Sequence, residues 1–167
     1  DSGIDMDVRG SGPLTSRHAG LLAGLVAKHR LARLTRHGEL VAQSSPPTLK
    51  VGKAHVTLPP GAFLQATAEG EAALAKLVIA HVGKAKRVAD LFAGIGTFAL
   101  RLAENAGVTA VDTEAPAIKA LERAASTTAG LTRVQGQARD LFRRPPMANE
   151  LQPSHEGGVE PQRQGAA

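Results

Sequence analysis

Hydrophobic positions along the chain follow two regimes. Up to Leu14 the chain is polar and Gly-rich, except that Ile4, Met6 and Val8 alternate with Asp5 and Asp7 at the two-residue period of a short strand. Over residues 17–34 the apolar residues Leu21, Leu22, Leu25, Val26 and Ala32 recur at helical spacing while Arg17, Lys28, Arg30 and Arg33 fall largely elsewhere. This predicts an amphipathic helix with a basic outer face. Short β-like runs follow at 40–42, 48–51 and 55–58, punctuated by Ser44, Ser45, Pro46 and Pro47 and closed by Pro59, Pro60 and Gly61. A second helix is predicted over 67–81, with Leu74, Leu77, Val78 and His81 or Val82 on one side.

The second regime alternates strand and helix: strand 88–92, helix 97–105, strand 108–112, helix 116–128 and strand 132–136. That order is the signature of βαβ units building a parallel sheet with helices on its faces. Beyond Arg144 the chain turns to Pro, Gly, Gln and Glu with no hydrophobic period, which predicts a disordered tail. The expected class is therefore α/β: a partial Rossmann-like parallel sheet over 61–144, preceded by a small α+β segment over 1–60 and followed by the tail at 145–167.

Composition sharpens this picture at three points. With four Phe and neither Trp nor Tyr, the interior must be filled by Ala, Leu and Val. The absence of cysteine excludes disulfides, thiolate metal sites and any thiol nucleophile within these residues. A net charge of +5 favours polyanionic partners, although a solvated basic face is the commoner explanation. No apolar stretch is long enough for a bilayer and no leader pattern opens the chain, so a cytoplasmic location is expected. The start at Asp1 and the late change of composition fit a segment of a longer polypeptide. His18, His29, His37, His55, His81 and His155 show no metal-ligand spacing, and no metal site is expected.

The informative chemistry lies in Asp90-Leu-Phe-Ala-Gly-Ile-Gly-Thr-Phe-Ala, where Gly94 and Gly96 form a Gly-x-Gly-x-x-Ala turn between a strand and a helix. Residues without Cβ let backbone approach a ligand closely. Asp112 follows at the end of the next strand, where a carboxylate can accept hydrogen bonds from ribose hydroxyls. Both features suit a nucleoside cofactor. A dinucleotide site usually has an apolar residue where Asp90 stands, and an acid there suits an amine-bearing ligand such as the methionine moiety of S-adenosyl-L-methionine.

This segment resembles the first cofactor motif of the bacterial RNA uracil-5-methyltransferases, which modify ribosomal or transfer RNA. The upstream Pro60-Gly-Ala-Phe-Leu-Gln-Ala is similar to that family's Phe-x-Gln motif, and Arg139-Asp140-Leu141-Phe142 resembles its segment after the third strand. The resemblance implies S-adenosyl-L-methionine as cofactor and RNA as partner, with Gln65, Phe92, Thr97, Asp112 and Asp140 lining the cofactor site. Asp112 would hold the ribose, Asp140 the adenine amine and Gln65 the methionine end. Each has a structural alternative: Gln65 as a helix cap, Phe92 as core, Asp140 as the start of a turn. Thr97 departs from the Asn common in the family.

Other departures concern catalysis. Carbon 5 of uracil becomes nucleophilic only after a thiolate adds to carbon 6, and this chain has no cysteine. The family's Asp-Pro-Pro-Arg motif should follow a fourth strand, whereas Arg143-Arg144-Pro145-Pro146 comes too early. No catalytic residue is assigned, and the chain alone is expected to be inactive. Two other readings stay open: a non-catalytic RNA-binding remnant, in which Lys28, Arg30, Arg33 and Arg36 track phosphates, and a nicotinamide-dependent oxidoreductase domain using the same glycine turn.

Overall fold

The computed structural model describes residues 3–10, 12–147 and 150. His155 and most of the expected tail lie outside the described residues. Strand β1 (Ile4–Val8) leads to helix α1 (Ser16–Lys28), whose N-terminus is capped by Thr15 accepting a hydrogen bond from the His18 N–H at 3.3 Å. The helix predicted to reach residue 34 stops at Lys28. Arg30 takes a left-handed φ of 53°, and Leu31–Arg36 becomes strand β2. This strand lies between β1, which runs parallel to it, and β3 (Glu39–Gln43), which runs antiparallel. Covered from both faces, Leu31 through Thr35 are all buried, and a strand buried on both faces shows no alternation to tell it from a helix.

The basic helix face dissolves with this correction. Lys28 ends α1 and Arg30 sits in the reversal, but Arg33 is 4% exposed. Its Nε and Nη2 donate to the two Asp5 oxygens at 2.9 and 2.6 Å, and its Nη1 donates to the Leu58 carbonyl at 2.8 Å. Arg36 donates to the Gly12 carbonyl. Val26, Leu31 and Leu34 form a small core with Leu22, Val41 and Ala42.

Strands β4 (Thr48–Val51) and β5 (Ala54–Thr57) make an antiparallel hairpin whose Val51, Ala54 and Val56 are wholly buried in the main core. Helix α2 (Ala68–Val82) is capped by Thr67 and not by Gln65, with the Gly70 N–H donating to the Thr67 hydroxyl at 3.0 Å. Its inward face also differs from expectation. Glu71 and Ala75 are buried, and Val78 and Val82 pack on the core, while Leu74 and Leu77 are exposed. Glu71 tolerates burial because Arg101 pairs with it, and the small Ala75 permits close approach, so the largest apolar residues do not mark the packed stripe.

Strands β6 (Arg87–Leu91), β7 (Gly107–Asp112) and β8 (Val134–Ala138) form a parallel sheet in that order. Val88, Val108 and Val134 stand in register and pack into the main core with Leu121 and Ala124 of helix α4 (Ala115–Thr127). Helix α3 is a single turn, Ala99–Leu102, not the expected 97–105, because the chain on both sides closes as turns. Strand β8 begins two residues late because both the N–H and hydroxyl of Thr132 turn to the Ala103 carbonyl instead of the ladder, at 2.7 and 2.8 Å. Among the described residues no helix is long and apolar enough to cross a membrane.

Candidate functional site

The C-terminal ends of β6 and β7 carry the candidate site. Past Leu91 the backbone turns sharply at Phe92, whose φ of 63° lies in the left-handed region that side chains with a Cβ rarely adopt. The Ala93 N–H then donates to the Val111 carbonyl at 3.1 Å, and the Gly96 N–H to the Ala93 carbonyl at 2.9 Å. The two glycines do different work. Gly94 (φ 55°) faces open space, with nothing within 4 Å of where a Cβ would stand. A Cβ on Gly96 (φ 94°) would meet Leu121 at 2.8 Å, so this glycine serves helix–turn packing.

Asp112, ending β7, fastens the turn. Its Oδ2 accepts the Gly94 N–H at 2.8 Å, and its Oδ1 accepts the Glu114 N–H at 2.9 Å. The expected pairing of glycine and acid is thus a direct contact, with lone pairs remaining on both oxygens. Asp90, in β6 just before the turn, is close to Asp112 and to the Ala99 N–H that follows the turn. Burial pushes its carboxyl up to about 6, opposed by a hydrogen bond from the Ala99 N–H and reinforced by the neighbouring Asp112 charge. Its Oδ2 is buried and accepts no hydrogen bond from any described residue. Buried polar atoms are nearly always paired, so this unpaired oxygen makes the end of β6 the candidate position for a ligand.

The remaining residues divide. Phe92 is 58% exposed and therefore not core. Its ring meets that of Phe142, centroid to centroid 5.5 Å. Asp140 starts a turn: its Oδ1 accepts the Phe142 and Arg143 N–H groups at 3.0 and 3.1 Å. The Arg139 N–H donates to the Asp112 carbonyl at 2.7 Å, which brings the segment after β8 to the end of β7. Thr97 is half-buried within the turn, and Gln65 is half-buried in the segment before α2, taking no part in the turn's hydrogen bonds. Sequence reasoning missed Arg139 and Phe142 as individual residues; the scarcity of aromatics was the available signal. A cavity of about 270 Å³ lined by Ile79, Val82, Lys84, Lys86, Arg101 and Asn105 lies by the start of β6, at the opposite end from the glycine turn.

No family model matches the chain. It is 48% identical over 166 residues to a Brucella melitensis protein named as an uncharacterized RNA methyltransferase, a match that takes in 99% of this chain and 40% of the relative. The chain thus spans about 40% of the length of the curated relatives it matches most strongly. Among solved structures it is similar to the Pyrococcus abyssi tRNA (uracil-54, C5)-methyltransferase in complex with S-adenosyl-L-homocysteine, with TM-score 0.58 and 14% identity over 79% of this chain and 35% of that one. It is also similar to Methanocaldococcus jannaschii Trm5 in complex with adenosine, with TM-score 0.56 and 17% identity over 86% of this chain and 48% of that one. These likenesses establish the α/β, Rossmann-like fold.

Proposed function

We propose that this chain forms the S-adenosyl-L-methionine-binding part of an RNA methyltransferase acting on carbon 5 of a uridine in ribosomal or transfer RNA. The observation that carries the cofactor is the unpaired Asp90 oxygen at the end of β6, followed by a turn whose open Gly94 is tied through its backbone to Asp112. When bound, the cofactor supplies an electrophilic methyl group on a sulfonium. This chain's own residues bind and orient it. Gly94 allows close approach of the nucleoside, the free lone pairs of Asp112 take ribose hydroxyls, and Asp90 receives the α-ammonium group. Asp140 takes the adenine amine, while Phe92, Thr97 and Gln65 complete the wall; Gly96, assigned to the cofactor from the sequence, faces Leu121 instead.

Two lines support RNA as the methyl acceptor: the relative's name and a basic chain with net charge +5. The uridine assignment rests on the three motifs around Gln65, Asp90 and Asp140, and on likeness to a protein described as acting at uracil C5. In this reading residues 1–60 face RNA and 61–144 hold the cofactor. A cysteine-free chain holds no thiolate to add to carbon 6, so it binds cofactor without transferring methyl groups on its own.

Calorimetric titration tests this. Wild-type chain should bind S-adenosylhomocysteine, and Asp112→Ala should bind it at least about ten-fold more weakly, the loss expected for hydrogen bonds to a charged group. Asp112→Asn, which keeps one acceptor for the Gly94 N–H, separates ribose recognition from anchoring of the turn. Equal affinity in all three proteins would remove Asp112 from the site. Binding of NADH in place of S-adenosylhomocysteine would replace the methyltransferase reading with the nicotinamide one.

A further inference from the structure

The cavity of about 270 Å³ by the start of β6 lies at the opposite end from the glycine turn, and the cofactor reading makes no use of it. Its wall forms where two helices end. Gly83, with a left-handed φ of 59°, stops α2, and Lys84-Ala85-Lys86 links it to β6. The Gly107 N–H donates to the Lys86 carbonyl at 2.9 Å, which ties this link to the start of β7. From the other side α3 contributes Arg101 and Leu102, and the turn after it contributes Asn105. Val82 and Leu102 make apolar wall. The polar side chains Lys84, Lys86, Arg101 and Asn105 offer donors only, apart from the Asn105 carbonyl oxygen.

Charge decides what such a wall can hold. Glu71 answers Arg101, and Lys53 holds the neighbouring Glu104 at 3.3 Å. Neither Lys84 nor Lys86 pairs with a carboxylate among the described residues. Lysines beyond a helix often answer its negative pole, but that pole amounts to roughly half a charge, and two ammonium groups exceed it. The single turn of α3 adds little to it. The surplus therefore repels a cation and favours an anion. Arg101 adds a second sign: its Nε is buried without an acceptor among the described residues, although buried donors are nearly always paired.

We propose that this cavity binds a phosphate group, with Lys84 and Lys86 as its charged contacts. Lysine meets phosphate as a compact point charge and needs no fixed fork to do so. A space of about 270 Å³ is at the small end for ligand pockets and suits a phosphate with its sugar, whose carbons Val82 and Leu102 can cover. Two sources carry this group, the backbone of an RNA strand and a free sugar phosphate. The five residues of β6 set the cavity about 17 Å from the glycine turn, so an RNA strand reaching both would run along the edge of the sheet that β6 forms. The site stands apart from the cofactor position, and only RNA as a source rests on the methyltransferase reading above.

Fluorescence anisotropy of labelled octauridine over a range of salt concentrations tests the RNA source. Both lysines are exposed, so Lys84→Gln/Lys86→Gln keeps the fold. It should weaken binding and make the slope of log K against log salt shallower by about 0.7, the value for one neutralised phosphate on a single strand. Lys119→Gln/Arg123→Gln removes the same charge from the exposed face of α4 and should leave the slope unchanged. Calorimetry with ribose 5-phosphate tests the other source. Heat in the wild type that vanishes in the Lys84/Lys86 variant, with octauridine binding unmoved, would put a free sugar phosphate in the cavity. An equal change of slope in both double variants would reduce the effect to general charge and overturn the proposal. Octauridine binding indifferent to Lys84 and Lys86, together with no heat from ribose 5-phosphate, would overturn it as well. Wild type and the Lys84/Lys86 variant should bind S-adenosylhomocysteine equally. If neither binds it while the octauridine slope falls in that variant alone, the cofactor reading fails and the phosphate site stands.

Discussion

Two regions of the molecule place acids between apolar residues on a strand and treat them in opposite ways. In β1, Asp5 receives the fork of Arg33, and Asp7 accepts from the Thr35 hydroxyl at 2.9 Å and the Gly38 N–H at 3.1 Å besides pairing with Arg9 at 2.8 Å. The hydrogen bond from Arg9, followed by those from Gly38 and Thr35, lowers the Asp7 carboxyl to about 2. In β6, Asp90 is half-buried with one oxygen buried and unanswered, and its carboxyl rises to about 6. Acids whose donors come from the protein hold the fold together. An acid with one oxygen left without a donor is held by the fold at a cost.

Breaking the satisfied side should have the largest effect. Arg33→Ala leaves Asp5 facing a gap and the Leu58 carbonyl without its donor, and is expected to lower stability by about 3 kcal/mol in urea unfolding. The double variant Asp5→Ala/Arg33→Met removes both charges and should lose less than Arg33→Ala alone. Equal losses would show that packing, not the stranded carboxylate, sets the cost.

The unsatisfied side should respond with the opposite sign. A carboxyl raised from 3.8 to about 6 stabilises the folded chain relative to its ionised form below the ordinary value, and that advantage is lost as pH rises through about 6. Near pH 7 the buried charge costs roughly 2–3 kcal/mol. Asp90→Asn is therefore expected to raise ligand-free stability by about 2 kcal/mol near pH 7, to change it little near pH 4, and to weaken S-adenosylhomocysteine binding. In the wild type, that binding should strengthen as pH rises through 6, because the amine needs an ionised partner. A pH-independent stability difference, or tighter binding by the Asn variant, would break the contrast with β1.

Within the site the glycines sharpen the same distinction between holding and waiting. Gly96→Ala drives a methyl group into Leu121 and should cost about 1–3 kcal/mol. Gly94→Ala meets only open space, so its cost is the left-handed φ, about 1 kcal/mol, while its methyl group would enter the space proposed for the nucleoside. Thermal unfolding and calorimetry on the pair should show stability lost mainly in one and binding mainly in the other.

The parallel sheet was legible because its grammar is local: β6, β7 and α4 fall within a residue or so of the expected bounds, and the Gly94–Asp112 contact follows from their order. Where long-range partners decide, the pattern misled. Residues 31–36 take strand because β1 and β3 sandwich them, and α2 buries Glu71 because Arg101 waits across the interface. The site showed the same limit. Asp90 stood out by type, but its missing donor, the Phe92–Phe142 contact and the hydrogen bond from the Arg139 N–H to Asp112 exist only once β6 and β8 are assembled around β7.

The smallest expected effect lies at the acid limb. The folded pKa of Asp7 is depressed, so its contribution is present above the ordinary carboxylate value near 3.8 and is lost as pH falls toward about 2. Asp7→Asn should therefore differ from wild type near neutrality and converge with it at the acid end, the reverse of the Asp90→Asn profile. Much of the depression comes from Arg9, whose side chain is 73% exposed, and water and salt screen such a pair heavily. Added salt should shrink the Asp7 difference while leaving the Asp90 difference nearly intact, because desolvation rather than a surface partner sets the latter. Equal salt sensitivity at the two acids would mean that Asp90 is more open to solvent than its burial indicates, and the argument for a waiting carboxylate would lose its physical basis.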